Sequence, residues 1–182
     1  MGPAIALLMI YVSVSLSPWF SWQANALSDL GVHDVGFLFN SGLIVAGVLN
    51  VFFALGLSRK LPRGSSSLNA IGSVVLALGG GALALVGVFT ENSGSIHGEA
   101  ALGYFILVPA AIIIIGIGSI KKMGRFGTLS VLAGLAALAS IFLTPHEGLA
   151  IPEILEALVL SAWTIGSGLW VVFSKAEPHP RS

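Results

Sequence analysis

The sequence predicts an all-α, polytopic membrane bundle of six transmembrane helices with both termini cytoplasmic. Three observations carry that expectation: a composition poor in charge, six apolar stretches of membrane-crossing length, and a one-sided placement of Lys and Arg. The chain has 182 residues, 55% hydrophobic and 9% charged, with a mean hydropathy of +0.97. An average soluble domain carries about 25% charged residues. So few charges could not cover a water-facing surface, and lipid is the expected solvent for most of the chain. Six spans of about 20 residues each nearly exhaust the length. The expected organisation is a single transmembrane domain over residues 1–174 and a short polar tail over 175–182.

The first apolar stretch covers about residues 3–20. No basic residue precedes it, as a secretory signal would require, so it reads as a retained span. The others cover about 36–57, 68–89, 100–120, 127–143 and 154–173, the fifth being the shortest. Backbone in lipid must satisfy its own hydrogen bonds, which favours helices. A barrel needs alternation, and the run Ala111-Ile112-Ile113-Ile114-Ile115 does not alternate. Glycines within spans, including Gly72, Gly79, Gly80, Gly81 and Gly87 in the third, suit close helix packing. Pro109 is expected to kink the fourth span.

Lys and Arg fall only at Arg59, Lys60 and Arg63, at Lys121, Lys122 and Arg125, and at Lys175 and Arg181. With six spans these three groups share one side, which the positive-inside rule makes cytoplasmic. Asp29, Asp34, Glu91, Glu99, Glu147, Glu153 and Glu156 belong to the other half, with His33, His97 and His146; Glu177 and His179 lie in the tail. The expected location is therefore the plasma membrane, with polar residues crowded at the extracytoplasmic side. A net charge of zero argues against a nucleic-acid partner. The lack of Cys excludes disulfides, thiolate nucleophiles and Cys-ligated metals. No charged residue is expected at mid-span, which speaks against proton-driven transport.

The richest polar stretch follows Trp19 and Trp22, which suit a membrane interface. If it is α-helical, Asn25, Ser28 and Asp29 share one face; alternatively Ser28, Asp29 and Asp34 cap the next helix. Asn40 falls early enough in the second span to join them, whereas Asn50 is expected to bond between helices. His97, His146, Asp29 and Glu91 form the candidate metal set, since catalytic zinc takes three N/O ligands and keeps one position open. Such a metal could activate water against an ester or amide at the lipid boundary, with Ser28, Asp29 and His97 as catalytic groups and Asn25, Asn40 and Glu91 binding substrate. No His-Glu-x-x-His or His-x-x-x-His spacing supports the set, and solvated loop residues are the competing explanation.

Asn25-x-x-Ser28-Asp29-Leu30-Gly31, followed by Phe39-Asn40 and the Gly42 to Gly47 helix, resembles the start of a six-span prokaryotic family, the domain of unknown function 998. Gly87-Val88-Phe89-Thr90-Glu91-Asn92, then His97, is similar to that family's third-helix exit, which often carries Pro where this chain has Thr90. The resemblance covers most of the chain. It implies six helices, little about activity, and motif roles for Asn25, Ser28, Asp29, Asn40, Glu91 and His97, with His146 a weaker match. A more distant likeness is to membrane hydrolases of the ceramidase and progestin-receptor group, which use Ser, Asp and three His at zinc; this chain lacks their paired C-terminal histidines. The expected activity is metal-dependent hydrolysis or remodelling of a membrane lipid, with zinc or another divalent ion as cofactor. The alternative is a non-enzymatic channel, transporter or lipid-binding protein.

Overall fold

The computed structural model describes residues 1–61, 67–142 and 147–173. These residues form six α-helices: α1 (Gly2–Ser15), α2 (Gly36–Lys60), α3 (Leu68–Val88), α4 (Ser95–Ser119), α5 (Gly124–Phe142) and α6 (Ala150–Phe173). Two short 3-10 helices sit in the connections, Leu27–Val32 between α1 and α2 and Glu91–Ser93 between α3 and α4. The described residues contain no strand.

Five helices, α2 to α6, are long and apolar enough to cross a membrane. They make this a multi-pass membrane protein in a lipid environment. Large apolar side chains such as Phe37, Phe52, Val74, Leu78 and Leu102 stand exposed on their outer faces, where water would penalise them and acyl chains would not. The first helix is shorter than the sequence suggested. It has 14 residues, about 21 Å at 1.5 Å per residue, against a hydrocarbon core of about 30 Å. Its early end has a local cause: Pro18 disfavours the helical conformation at Ser17, and the chain leaves the helix through Ser17 N–H to Val14 O (3.0 Å).

Each helix packs on the next in sequence, most extensively α2 on α3 and α3 on α4. Glycine makes the first approach possible. A Cβ at Gly47 would lie 2.5 Å from the Ala84 nitrogen, and one at Gly87 2.6 Å from the Asn40 carbonyl. The two backbones touch where any side chain would hold them apart. Asn50 Nδ2 reaches across the same interface to Leu76 O (3.4 Å). Pro109 is buried within α4, which continues through it. α6 rests on α5, fixed by Trp163 Nε1 donating to Ser130 Oγ (2.9 Å). It meets α1, α2 and α4 at only a few positions.

Two apolar clusters organise the interior. One, around Leu57, Leu76, Ile112, Ile115 and Trp163, joins α2, α3, α4 and α6. The other includes Ile10, Leu27, Leu30, Phe39, Val86 and Ala150, and draws the first 3-10 helix down onto the bundle. Arg59, Lys60, Lys121, Lys122 and Arg125 lie at the opposite end, about 36 Å away along α2 and α4. Arg63, Lys175, Arg181 and the tail 175–182 lie outside the described residues.

Three helices begin earlier than their hydropathy suggested, α5 at Gly124 among them. α4 starts at Ser95 and carries His97 and Glu99 in its first turns; α6 starts at Ala150 and carries Glu153 and Glu156. A helix's first turn tolerates polar residues and welcomes acids, so apolar composition alone misplaces the boundary.

Candidate functional site

The segment between α1 and α2 is folded by its own side chains. Ser21 N–H donates to Asn25 Oδ1 (2.9 Å), and Asn25 Nδ2 donates to Asp29 Oδ2 (2.7 Å). The same oxygen accepts the Ala26 N–H (3.1 Å), so Asp29 closes the start of the 3-10 helix from its third position. The shared α-helical face expected for Asn25, Ser28 and Asp29 does not form: Asn25 precedes a 3-10 helix, and its contact with Asp29 is direct. Nor do Ser28 and Asp34 cap α2, whose N-cap is Val35. Leu30 is fully buried beneath this turn. Gly31 lies against Asn40, whose Nδ2 donates to the Gly31 carbonyl (2.8 Å). Asn25, Asp29, Gly31 and Asn40 thus form one scaffold that holds Ser28 in place.

The start of α6 is stitched to this scaffold. Gly148 N–H donates to Gln23 O (2.8 Å) and Ala150 N–H to Asn25 O (2.9 Å). In return Glu153 Oε2 accepts the Leu27 N–H (2.7 Å). These bonds satisfy donors that the first turns of a helix would otherwise leave unpaired.

From the other side, Glu91 approaches at the exit of α3. Its Oε1 accepts from Ser28 Oγ at 3.4 Å. Partial desolvation, and then the adjacent Asp29 carboxyl, raise the Glu91 pKa above its ordinary value, against smaller pulls from His97 and Ser28. Gly94, at a φ of +64° that favours glycine, turns the chain into α4. His97 follows in the first turn, 8% exposed, with Nδ1 2.7 Å from Phe89 O. A carbonyl only accepts, so Nδ1 carries the proton, and the neutral form of the ring has its lone pair at Nε2.

Ser28, Asp29, Glu91 and His97 therefore gather at one end of the bundle, with Asn25 and Asn40 beneath them as supports. His33 stands apart: it is exposed and packs on Trp19 with ring centroids 4.1 Å apart. His146 lies outside the described residues. Among the described residues no three His, Asp or Glu are close enough to hold a metal ion.

Beside this cluster lies a cavity of about 90 Å³, walled by α1, α2, α3, α4 and α6. Leu7, Ile10, Leu43, Leu83, Phe105 and Leu160 make its walls mostly apolar, while Ser28, His97 and Glu153 stand at one end. It reaches Thr164 on α6, about 16 Å from Glu153 at the helical rise. A water needs roughly 10–15 Å³ by this measure, so the space is long and only about one small group wide. Around it α6 meets α1, α2 and α4 at only a few positions.

Two acids missed by sequence reasoning belong here. Glu153 lines the cavity, and Glu156, one turn deeper, is fully buried with no hydrogen-bond partner among the described residues for either carboxyl oxygen. The available signal was their i, i+3 spacing, which puts both on one side of α6 once the helix is known to begin at Ala150. A family model described as "Protein of unknown function (DUF998)" matches residues 1–170. No curated protein and no solved structure matches the chain.

Proposed function

Because this chain belongs to that family of unknown function, its role must come from its own chemistry, and we propose that it binds a single-chain amphiphile within the membrane. The carrying observation is an apolar cavity that ends at Ser28, His97 and Glu153. The alkyl chain lies between α1, α4 and α6, and the head meets the cluster that Asp29 and Glu91 complete. Ligand pockets are commonly apolar with a few orienting polar groups at one point. The sparse contact between α1 and α6 supports lateral entry from lipid.

In the same reading α1 makes a sixth crossing, continued by the turns after Ser15. Both termini are then cytoplasmic, and the cluster faces outward from the plasma membrane. The support is electrostatic: the described Lys and Arg residues cluster at the end remote from Ser28 and His97. Mass spectrometry of the intact protein, released from uncharged detergent, tests binding. Wild type should retain one amphiphile, and Ala101→Phe, which adds a ring inside the cavity wall, should lose it. Equal retention by both would refute the cavity as the site.

A second reading, metal-dependent hydrolysis of the bound lipid, is favoured by one feature. The His97–Phe89 bond leaves Nε2 suited to take a proton or ligate a metal, as in many histidine sites. Asp29 and Glu91 share this end of the bundle, and a metal there would need them to move closer to His97. Elemental analysis of wild type and His97→Ala decides it: stoichiometric zinc lost in the variant supports hydrolysis, and metal-free wild type that still binds lipid leaves the binding role alone.

A further inference from the structure

Resting on the cavity reading above, we infer that the amphiphile carries an amine head with N–H donors, and that phosphate-headed lipids are excluded. Asp29, Glu91 and Glu153 lie close enough to act on one another electrostatically. No described Lys or Arg stands at this end, since those of α2, of the α4–α5 connection and of the start of α5 lie about 36 Å away. A phosphate brought here would meet repulsion without a compensating cation.

The hydrogen-bonding sense points the same way. His97 is more than nine-tenths buried and lines the cavity. With Nδ1 committed to Phe89 O, the neutral ring offers a lone pair at Nε2, which has no partner among the described residues. Glu153 offers its carboxyl oxygens, of which Oε2 already accepts from Leu27 N–H. Ser28 Oγ points its proton at Glu91 and keeps its own lone pairs for a donor. The cavity end is thus a set of acceptors awaiting donors. An ammonium group brings three N–H donors and a positive charge, whereas a phosphate brings neither.

The test uses the full chain in uncharged maltoside micelles with three probes of equal chain length: dodecylamine, dodecanol and dodecyl phosphate. One-to-one binding is measured by mass spectrometry of the intact protein, with Ala101→Phe as the background. Dodecylamine should bind about tenfold or more tighter than dodecyl phosphate, with dodecanol between them. Glu153→Gln keeps an acceptor for Leu27 N–H, so its fold should stand; it should weaken dodecylamine binding more than dodecanol binding and lower the preference for amine over phosphate several-fold. If dodecyl phosphate binds as well as dodecylamine in wild type, the head-group inference fails while the cavity reading survives. If none of the three exceeds the Ala101→Phe background, both fail.

Discussion

Gly31→Ala offers a direct view of how the polar loop is held. A Cβ at Gly31 would lie 2.5 Å from Asn40 Oδ1 and 3.3 Å from Phe39 Cδ1. Asn40 cannot swing away freely, because its Nδ2 is bonded to the Gly31 carbonyl at 2.8 Å. Overpacking of this kind costs about 1–3 kcal/mol. Asn40→Ala loses one half-buried hydrogen bond, about 1 kcal/mol. The double variant removes the group that the new methyl would strike, so its cost should approach that of Asn40→Ala alone. The two substitutions should therefore couple by roughly 1–2 kcal/mol, the double being milder than the sum. Reversible unfolding in mixed micelles, followed through the fluorescence of Trp19 and Trp22 beside the loop, gives the four stabilities required. Additive costs would show that Asn40 is not what forbids a side chain at Gly31.

Three further predictions concern neighbouring contacts. The Glu91 pKa is raised from 4.5 in the folded protein, so folding favours its protonated form; that contribution is complete below 4.5 and is lost as pH rises through the folded value. Glu91→Gln should accordingly gain stability over wild type at pH 7 and none at pH 4, and a difference in melting temperature that stays constant across this range would contradict the assignment. Gly148→Ala places a methyl 2.6 Å from Ala24 C and Asn25 O, both backbone atoms that cannot rotate aside; it should cost about 1–3 kcal/mol and speed amide exchange at Ala150, and unchanged protection there would refute the stitching of α6 to the loop. Trp163→Phe removes the buried donor to Ser130 Oγ while Ser130 keeps its own bond to Phe126 O; a loss of about 1–2 kcal/mol is expected from unfolding curves, and a neutral result would mean that ring packing alone fastens α6 to α5.

Hydropathy and the placement of Lys and Arg made the helices legible from residue order, because lipid exposure acts on composition directly. The same signal blurred at helix ends. It carried the first helix on to Phe20, past the break imposed by Pro18, and it began α6 at about residue 154, leaving Glu153 out. The motif residues were visible too, but their division of labour was not. Asn25 and Asn40 look as reactive in a sequence as Ser28 or His97, and only their short bonds to Asp29 and to the Gly31 carbonyl show them to be scaffold.

By itself, then, the sequence determined an all-α membrane chain, the family it belongs to, and the separation of basic from acidic residues, since each depends on residue type and order. Tertiary structure decided that Ser28, Asp29, Glu91 and His97 meet, that Glu153 joins them from more than a hundred residues away, and that an apolar cavity runs from that meeting point toward Thr164. Those features depend on how far each helix extends and how closely its glycines let it approach a neighbour, and these distances exist only once the helices are packed.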